Sequence, residues 1–262
     1  MTQDQPKIIS SPHNPHVKRW VSLLEPPGIK RHQQCLLSGM RIGTELLRQS
    51  PTTMLELLIP DRKSQPDIPG FTGPVYRLAN QLFQQLDIYG THAPLWICRI
   101  PGLSLYDLTA SPQGLEILCP MGDPGNLGSL LRGCWVFGVD RVILLDESVH
   151  PFHPKVIRAS SGAVFSLNIY RGCAIGELEI RYCSVDYGIG YDRRRHGHLG
   201  LAGTDPPPHR RRRDRASSGL VRSSVENFAS PSIPLNASVA GNIALYAYRQ
   251  TYPSIASRRS HS

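Results

Sequence analysis

The sequence predicts an α/β fold arranged as two domains, and three observations predict it. Short aliphatic runs alternate along the chain with segments of helical period. A stretch rich in Gly, Ser, Pro and Thr, GLSLYDLTASPQG, separates one such alternation from a second. The length of 262 residues is long for one domain and ample for two buried cores.

Taken in order, NPHVKRWVSLL sets Val17, Val21 and Leu24 on one helical face, and SGMRIGTELLRQS does the same with Ile42, Leu46 and Leu47. MLELLIP and PLWICRIP read as strands that stop at proline, which lacks the amide a ladder needs. Between them YRLANQLFQQL reads as a helix in which Leu78, Leu82 and Leu86 recur every four residues. These elements make a first α/β domain over residues 1–103, with residues 104–113 as linker. In the second domain, residues 114–252, LEILCP is a short buried-type strand, NLGSLLRGCWVFG a helix and RVILLD another strand. HPKVIRASSGAVF follows as a helix opened by Pro154. Strands alternating with helices predict a parallel sheet with crossover helices. Residues 253–262 form a tail.

The opening MTQDQPKIISSPHNPHVKRW has no apolar stretch of export-signal type, and no run in the chain approaches bilayer length. A cytoplasmic protein without membrane association is the expectation. Cys35, Cys98, Cys119, Cys134, Cys173 and Cys183 form no C-x-x-C pair, so they read as reduced packing residues and no metal is expected. A formal net charge of +9 suits a polyanionic partner, most simply nucleic acid. Much of that charge is local, in the stretch from Arg181 to Arg222. This stretch has neither helical nor strand period, carries Pro206, Pro207 and Pro208, and reads as loop.

The segment DPGNLGSLLRGCWVFGVDRVILLD does not read as ordinary packing. The strand before it ends at Pro120, Asp123, Pro124 and Gly125 reverse the chain, and Asn126 stands where an N-cap would. The turn falls at the carboxyl end of a parallel strand, where α/β sheets hold ligands. Leu127, Leu130, Leu131, Cys134 and Phe137 face the sheet, which leaves Arg132 on another face. A lone helix arginine is ordinarily a solvated one; the surrounding pattern makes this one a candidate. Near the C-terminus, IPLNASVAGNIALYAYRQ predicts a helix with small residues on one side, Ala237, Ser238, Ala240 and Gly241, where a backbone or ligand could approach. Val239, Ile243, Tyr246 and Ala247 are its expected packed face.

Three segments in order resemble the SpoU/TrmH family of RNA ribose methyltransferases. DPGNLGSLLRGCWVFG is similar to the family's first motif at Asn126, Gly128, Arg132, Phe137 and Gly138. HPKVIRASSGA is similar to a second at Pro154, Lys155, Arg158, Ser160, Gly162 and Ala163, and PLNASVAG resembles the last at Leu235, Asn236, Ser238, Val239 and Ala240. The segments IISSPHNPHVKRWVSLL and CLLSGMRIGTELL resemble the family's accessory substrate-binding domain.

The resemblance implies an L30e-like α/β domain followed by a trefoil-knotted SPOUT-type methyltransferase domain, an exception to unknotted topology. It implies S-adenosylmethionine as cofactor, ribosomal or transfer RNA as partner, and a homodimer. By carry-over Asn126, Arg132 and Asn236 are the catalytic candidates. Gly203, Ile233, Leu235 and Ser238 are the cofactor-binding ones, and Lys18, Arg41, Lys155 and Arg158 those that bind RNA. A ribose 2′-hydroxyl is a poor nucleophile, so methyl transfer needs in-line placement and help in losing the proton. A guanidinium stays protonated, so Arg132 is expected to stabilise the developing alkoxide or to orient a phosphate.

The chain departs from the family in two places. The family's middle Gly-x-Glu-Gly-x-Gly motif has only LAGTDPPPHRRRR as counterpart, in which Gly203 and Asp205 stand for the first Gly and the Glu, and Pro206 to Pro208 remove amide donors. Pro234 replaces the serine before Leu235 and Asn236. Three accounts remain for the segment 173–224: an RNA-binding insertion, a solvated loop of a divergent enzyme, or a stretch out of frame with its ancestral gene. The abrupt loss and recovery of pattern favours the last. The alternative function is an RNA-binding homologue that has lost cofactor and catalysis.

Overall fold

The computed structural model describes residues 7–107, 109, 114–177, 201–202 and 236–251. They form two compact units, the first from residues 1–102 and 150–165, the second from 103–149 and 166–262.

The first unit is built on a five-stranded sheet of β1 (Lys7–Ile9), β2 (Gln34–Ser38), β3 (Met54–Pro60), β4 (Val75–Leu78) and β5 (Leu95–Arg99), in spatial order β1-β4-β3-β5-β2. β4 runs parallel to β1 and β3, whereas β5 runs antiparallel to β3 and β2. In β5 the run Leu95, Trp96, Ile97 and Cys98 is buried without alternation, because both faces of the sheet are covered. Helices α1 (Pro15–Ser22) and α4 (Asn80–Leu86) contribute Val17, Trp20, Leu82, Phe83 and Leu86 to one core with Leu36, Leu58 and Ile97. Helix α2 (Pro26–His32) follows α1, and α3 (Met40–Gln49) lies against Trp96. A Cβ on Gly43 of α3 would meet the Trp96 indole, so this glycine permits close helix-to-sheet approach.

Two helical expectations are corrected here. The buried face of α1 is Val17 and Trp20, while Val21 is 37% exposed. Trp20 outcompetes Val21 because its indole Nε1 donates to Glu56 Oε2 at 2.7 Å beside the Arg19–Glu56 ion pair, also 2.7 Å. Leu78 belongs to strand β4 rather than to α4, since its stretch pairs with β1 and β3 on both sides. Sheet pairing overrides a helical spacing of leucines.

His150 lies 9% exposed in this unit. Burial, with the nearby Lys30 and His153 charges, pushes its imidazole down to about 4 from an ordinary value of 6.5. The fold holds the neutral form, so between these two values the unfolded chain binds more protons. Stability is then complete above pH 6.5 and lost as pH falls toward 4, by up to about 3 kcal/mol. Thermal melts of the parent and His150→Gln across that window should show a shallower pH dependence in the variant.

The second unit has β6 (Glu116–Cys119), β7 (Arg141–Leu144), β8 (Ile169–Arg171) and β9 (Leu201–Ala202) in the order β8-β7-β6-β9. β6, β7 and β8 are parallel as expected; β9, which the sequence pattern did not announce, pairs antiparallel with β6 over two residues. Residues at the start of the linker join this sheet: Tyr106 N donates to Arg171 O at 2.7 Å, and Arg171 N donates to Ser104 O at 2.9 Å. The Tyr106 hydroxyl reaches into the unit and donates to Glu116, a carboxylate only 2% exposed that also accepts from Arg141 at 3.0 Å. Burial and that carboxylate drive the Tyr106 phenol well above its usual range.

Helices α5 (Pro124–Val136) and α7 (Ala237–Thr251) pack side by side. Between β7 and β8 the chain forms α6 (Pro154–Ala159), six residues capped by His153 through its Nδ1. It ends where Ser161 and Gly162 adopt positive φ, so the expected longer helix stops early. Among the described residues no helix is long and apolar enough to cross a membrane, and no group of three or more metal-ligating side chains gathers. The described cysteines are free; burial pushes the Cys119 thiol up to about 12 and Cys134 higher still, which suits packing residues.

Candidate active site

The site is set by the turn from β6 into α5. β6 ends at Cys119, Gly122 is exposed, and the helix opens with Pro124 at its first position. The N-cap is Asp123 rather than Asn126: the Asp123 Oδ1 accepts from Asn126 N at 2.7 Å. The cap falls there because proline suits the first helical position and no donor is lost at that point. Asn126 thereby becomes a residue of the first turn, half-buried.

Leu127, Leu130, Leu131 and Cys134 are buried as expected, and Arg132 is exposed on the opposite side. Six helical residues separate Asn126 from Arg132, a rise of about 9 Å and roughly 120° around the axis. The two do not share a face, so Asn126 does not hold Arg132 by direct contact. Trp135 and Val136 do share the face of Arg132, one turn on, and are 45% and 69% exposed.

The opposite helix carries the larger correction. In α7 the buried side chains are Ser238, Ala240, Ala244, Leu245 and Tyr248, whereas Val239 and Tyr246 of the expected packed face are 44% and 55% exposed. Ser238, Ala240 and Ala244 share the packed face with Leu245 and Tyr248, and α5 approaches closely: a Cβ on Gly133 would collide with the Asn242 side chain. Asn242 Nδ2 donates to Ser238 O at 2.8 Å and to Ser129 O at 3.5 Å, tying the two helices. At the far end Arg249 donates through Nε to Phe137 O at 2.5 Å and through Nη2 to Gly138 O at 2.7 Å. A cation there satisfies carbonyls at the C-terminus of α5 and complements its dipole. Neither Asn242 nor Arg249 was singled out from the sequence, although an Arg in the last turn of a helix was a visible signal.

Asn236 caps α7: its Oδ1 accepts from Ser238 N at 2.9 Å and from Ser238 Oγ at 2.7 Å. Ser238 is therefore buried and committed to its own helix end. Gly203, Ile233 and Leu235 lie outside the described residues. In the first unit Lys18, Arg41, Lys155 and Arg158 are all exposed. The Arg158 guanidinium lies 3.9 Å from the centroid of the Tyr89 ring, which orients it by cation–π attraction.

Residues 117–178, which contain β6, α5, β7 and β8, match the model of the SpoU rRNA Methylase family. The ribosomal RNA small subunit methyltransferase G 2 of Syntrophobacter fumaroxidans is 34% identical over 254 residues, 93% of this chain and 49% of that protein. The 23S rRNA (guanosine(2553)-2′-O)-methyltransferase RlmP of Bacillus subtilis is 27% identical over 168 residues, 63% of this chain and 65% of that one. The chain thus spans about half of the first relative's length and just under two thirds of the second's. Among solved structures, the AdoMet-bound rRNA methyltransferase from Sinorhizobium meliloti superposes with a TM-score of 0.64 at 18% identity, covering 94% of this chain and 98% of that one. An RNA 2′-O ribose methyltransferase superposes at 0.62 with 20% identity, covering 93% and 98%. At such identities the likeness is one of fold. The segment that carries Arg132 is thus similar to the SpoU rRNA Methylase family, within an α/β fold shared with these solved structures.

Proposed function

We propose that the chain transfers a methyl group from S-adenosylmethionine to a ribose 2′-hydroxyl of ribosomal RNA. The observation that carries this is Arg132, exposed on α5, the helix that follows the carboxyl end of β6 within the family-matched segment, with no carboxylate paired to it among the described residues. The relatives support it: one is named as a 2′-O-methyltransferase of 23S rRNA and another as a small-subunit rRNA methyltransferase. A structural neighbour holds AdoMet.

The described residues fit the cofactor in part. The turn after β6 is open at Gly122, where an added Cβ would meet nothing closer than 3.5 Å, while Ser238 is already committed to Asn236. When bound, the cofactor supplies an electrophilic methyl on a sulfonium centre. The chain's own share is to place the ribose and to manage charge. Arg132 offers five fixed donors to an oxygen on which negative charge grows, or to the adjacent phosphate. The 2′-proton leaves to solvent or to that phosphate, since the guanidinium itself accepts none.

The finer architecture belongs to the same proposal: an L30e-like first domain and a trefoil knot around the cofactor. So does a homodimer. Trp135 and Val136 on α5 and Val239 and Tyr246 on α7 are exposed apolar side chains, with Phe137 edge-on to Tyr246 at 6.4 Å. Trp135 and Val136 lie one turn from Arg132, so pairing of two copies through them would bring a second chain to the reacting groups. Trp135→Glu/Tyr246→Glu should sediment as a monomer where the parent sediments as a dimer.

Titration calorimetry with S-adenosylmethionine tests the function first. Heat of binding at one site per chain is expected; absence of binding with RNA affinity retained would favour the cofactor-less RNA-binding homologue.

A further inference from the structure

We infer that the first unit holds a pocket for one unpaired nucleotide of the RNA, with Arg62 and Lys63 on the phosphate and Asn80 and Gln84 on the base edge. The inference rests on the RNA-directed function proposed above and names a contact surface for it away from Arg132.

The turn after β3, the start of α4 and the loop that follows α4 enclose a cavity of about 180 Å³. Pro60 and the almost wholly buried Phe83 form its apolar part. Its polar lining is Arg62, Lys63 and His92 together with Asn80 and Gln84. No carboxylate pairs with Arg62 or Lys63 among the described residues, so both cations are available to an anion. Each carboxamide presents a donor and an acceptor, the pattern that matches a base edge. The volume lies below the roughly 300 Å³ at which small-molecule pockets usually begin, which suits one unit of a longer chain better than a whole free ligand.

The segments that carry Lys63 and His92 are held in place before any ligand arrives. Arg77 Nη1 donates to Asp61 O at 2.9 Å and to Lys63 O at 2.6 Å, which fixes the turn that carries the two cations. Lys63 Nζ donates to His92 O at 2.7 Å, using one of its three protons and bridging the rim. His92 N in turn donates at 2.6 Å to Asp87 Oδ2, a carboxylate that is 5% exposed. His92 is held at a φ of 50°, a left-handed conformation unusual for a residue with a Cβ. The buried Asp87 carboxylate thus fixes the backbone of the loop that carries His92. Such preset segments also lower the ordering cost of binding.

The test is fluorescence anisotropy of the full chain with a labelled single-stranded RNA of mixed sequence, across a salt series. Arg62→Gln/Lys63→Gln should weaken binding about tenfold and lower the salt slope by about 1.4, the share of two phosphates on a single strand. Asn80→Ala/Gln84→Ala should weaken binding about threefold by loss of base contacts, with the slope unchanged. Arg31→Gln/Arg48→Gln with Arg48→Gln alone beside it, which remove two and one positive charges outside the cavity lining, should leave binding close to that of the parent. All sites lie on exposed side chains, and a melting curve for each variant checks the fold. If the parent binds RNA and the cavity variants match the Arg31→Gln/Arg48→Gln control, the pocket is overturned while the proposed function stands. If the parent binds no RNA, the proposed function fails and the pocket with it. If free nucleoside monophosphates displace the RNA where chloride at equal ionic strength does not, the assignment to RNA is overturned in favour of a free nucleotide.

Discussion

Arg132→Ala is expected to lower single-turnover methyl transfer by about a hundred- to a thousandfold. The same change should alter stability by less than about 0.5 kcal/mol, because the side chain is exposed and buries no core contact. The two effects separate a group that acts on the reacting oxygen from one that holds the helix. If Arg132 served only as one phosphate contact, its loss would weaken RNA binding and lower its salt dependence, leaving the rate at saturation intact. Arg132→Lys should recover little, since a point charge on a flexible stem does not reproduce the planar fork. Saturating S-adenosylmethionine and RNA, with a melting curve alongside, make the comparison.

The second large effect is on stability. Glu116→Leu should cost the second unit about 3–5 kcal/mol, the usual penalty for removing one partner of a buried charge pair. The substitution deprives the Arg141 guanidinium of its carboxylate and the Tyr106 hydroxyl of its acceptor. Tyr106 lies in the segment that enters this unit, so its release also loosens the pairing of Leu105 with Arg171. Glu116→Gln keeps an acceptor and should cost less. Chemical denaturation of the parent and both variants gives the order; equal stability of Glu116→Leu and the parent would remove the cluster from the account.

How much of this was legible in the sequence depends on what holds each element. β5 was legible because a strand covered on both faces reads as an unbroken apolar run, and β3 because only Glu56 interrupts its aliphatic residues before Pro60. The turn into α5 was legible by its Asp, Pro and Gly, though the cap falls on Asp123, one residue before Pro124, not on Asn126. Leu78 was misplaced because a four-residue spacing looks helical whether or not two neighbouring strands claim it. The face of α7 was misassigned for a different reason: the packed side mixes small residues, where α5 approaches closely at Gly133, with Leu245 and Tyr248. Tyr246 and Val239 are left outside. Glu116 could not be found, since nothing local says that an acid in a strand will meet Arg141 and Tyr106. Of the candidate site, Arg132 was legible through its motif, and the exposed apolar side chains one turn from it were not. The expected cofactor residues Gly203, Ile233 and Leu235, with most of segment 173–224, lie outside the described residues.

The central claim is transfer to a ribose oxygen, and the position of the methyl group tests it most directly. The parent chain, incubated with methyl-labelled S-adenosylmethionine and ribosomal RNA, should leave label that survives alkaline hydrolysis within a dinucleotide. A methylated 2′-oxygen cannot attack its neighbouring phosphate, so the chain stays uncut there, and Arg132→Ala should leave almost none of this product. Label recovered on the base of a single nucleotide, or RNA left unlabelled by a chain that binds the cofactor, would contradict the account.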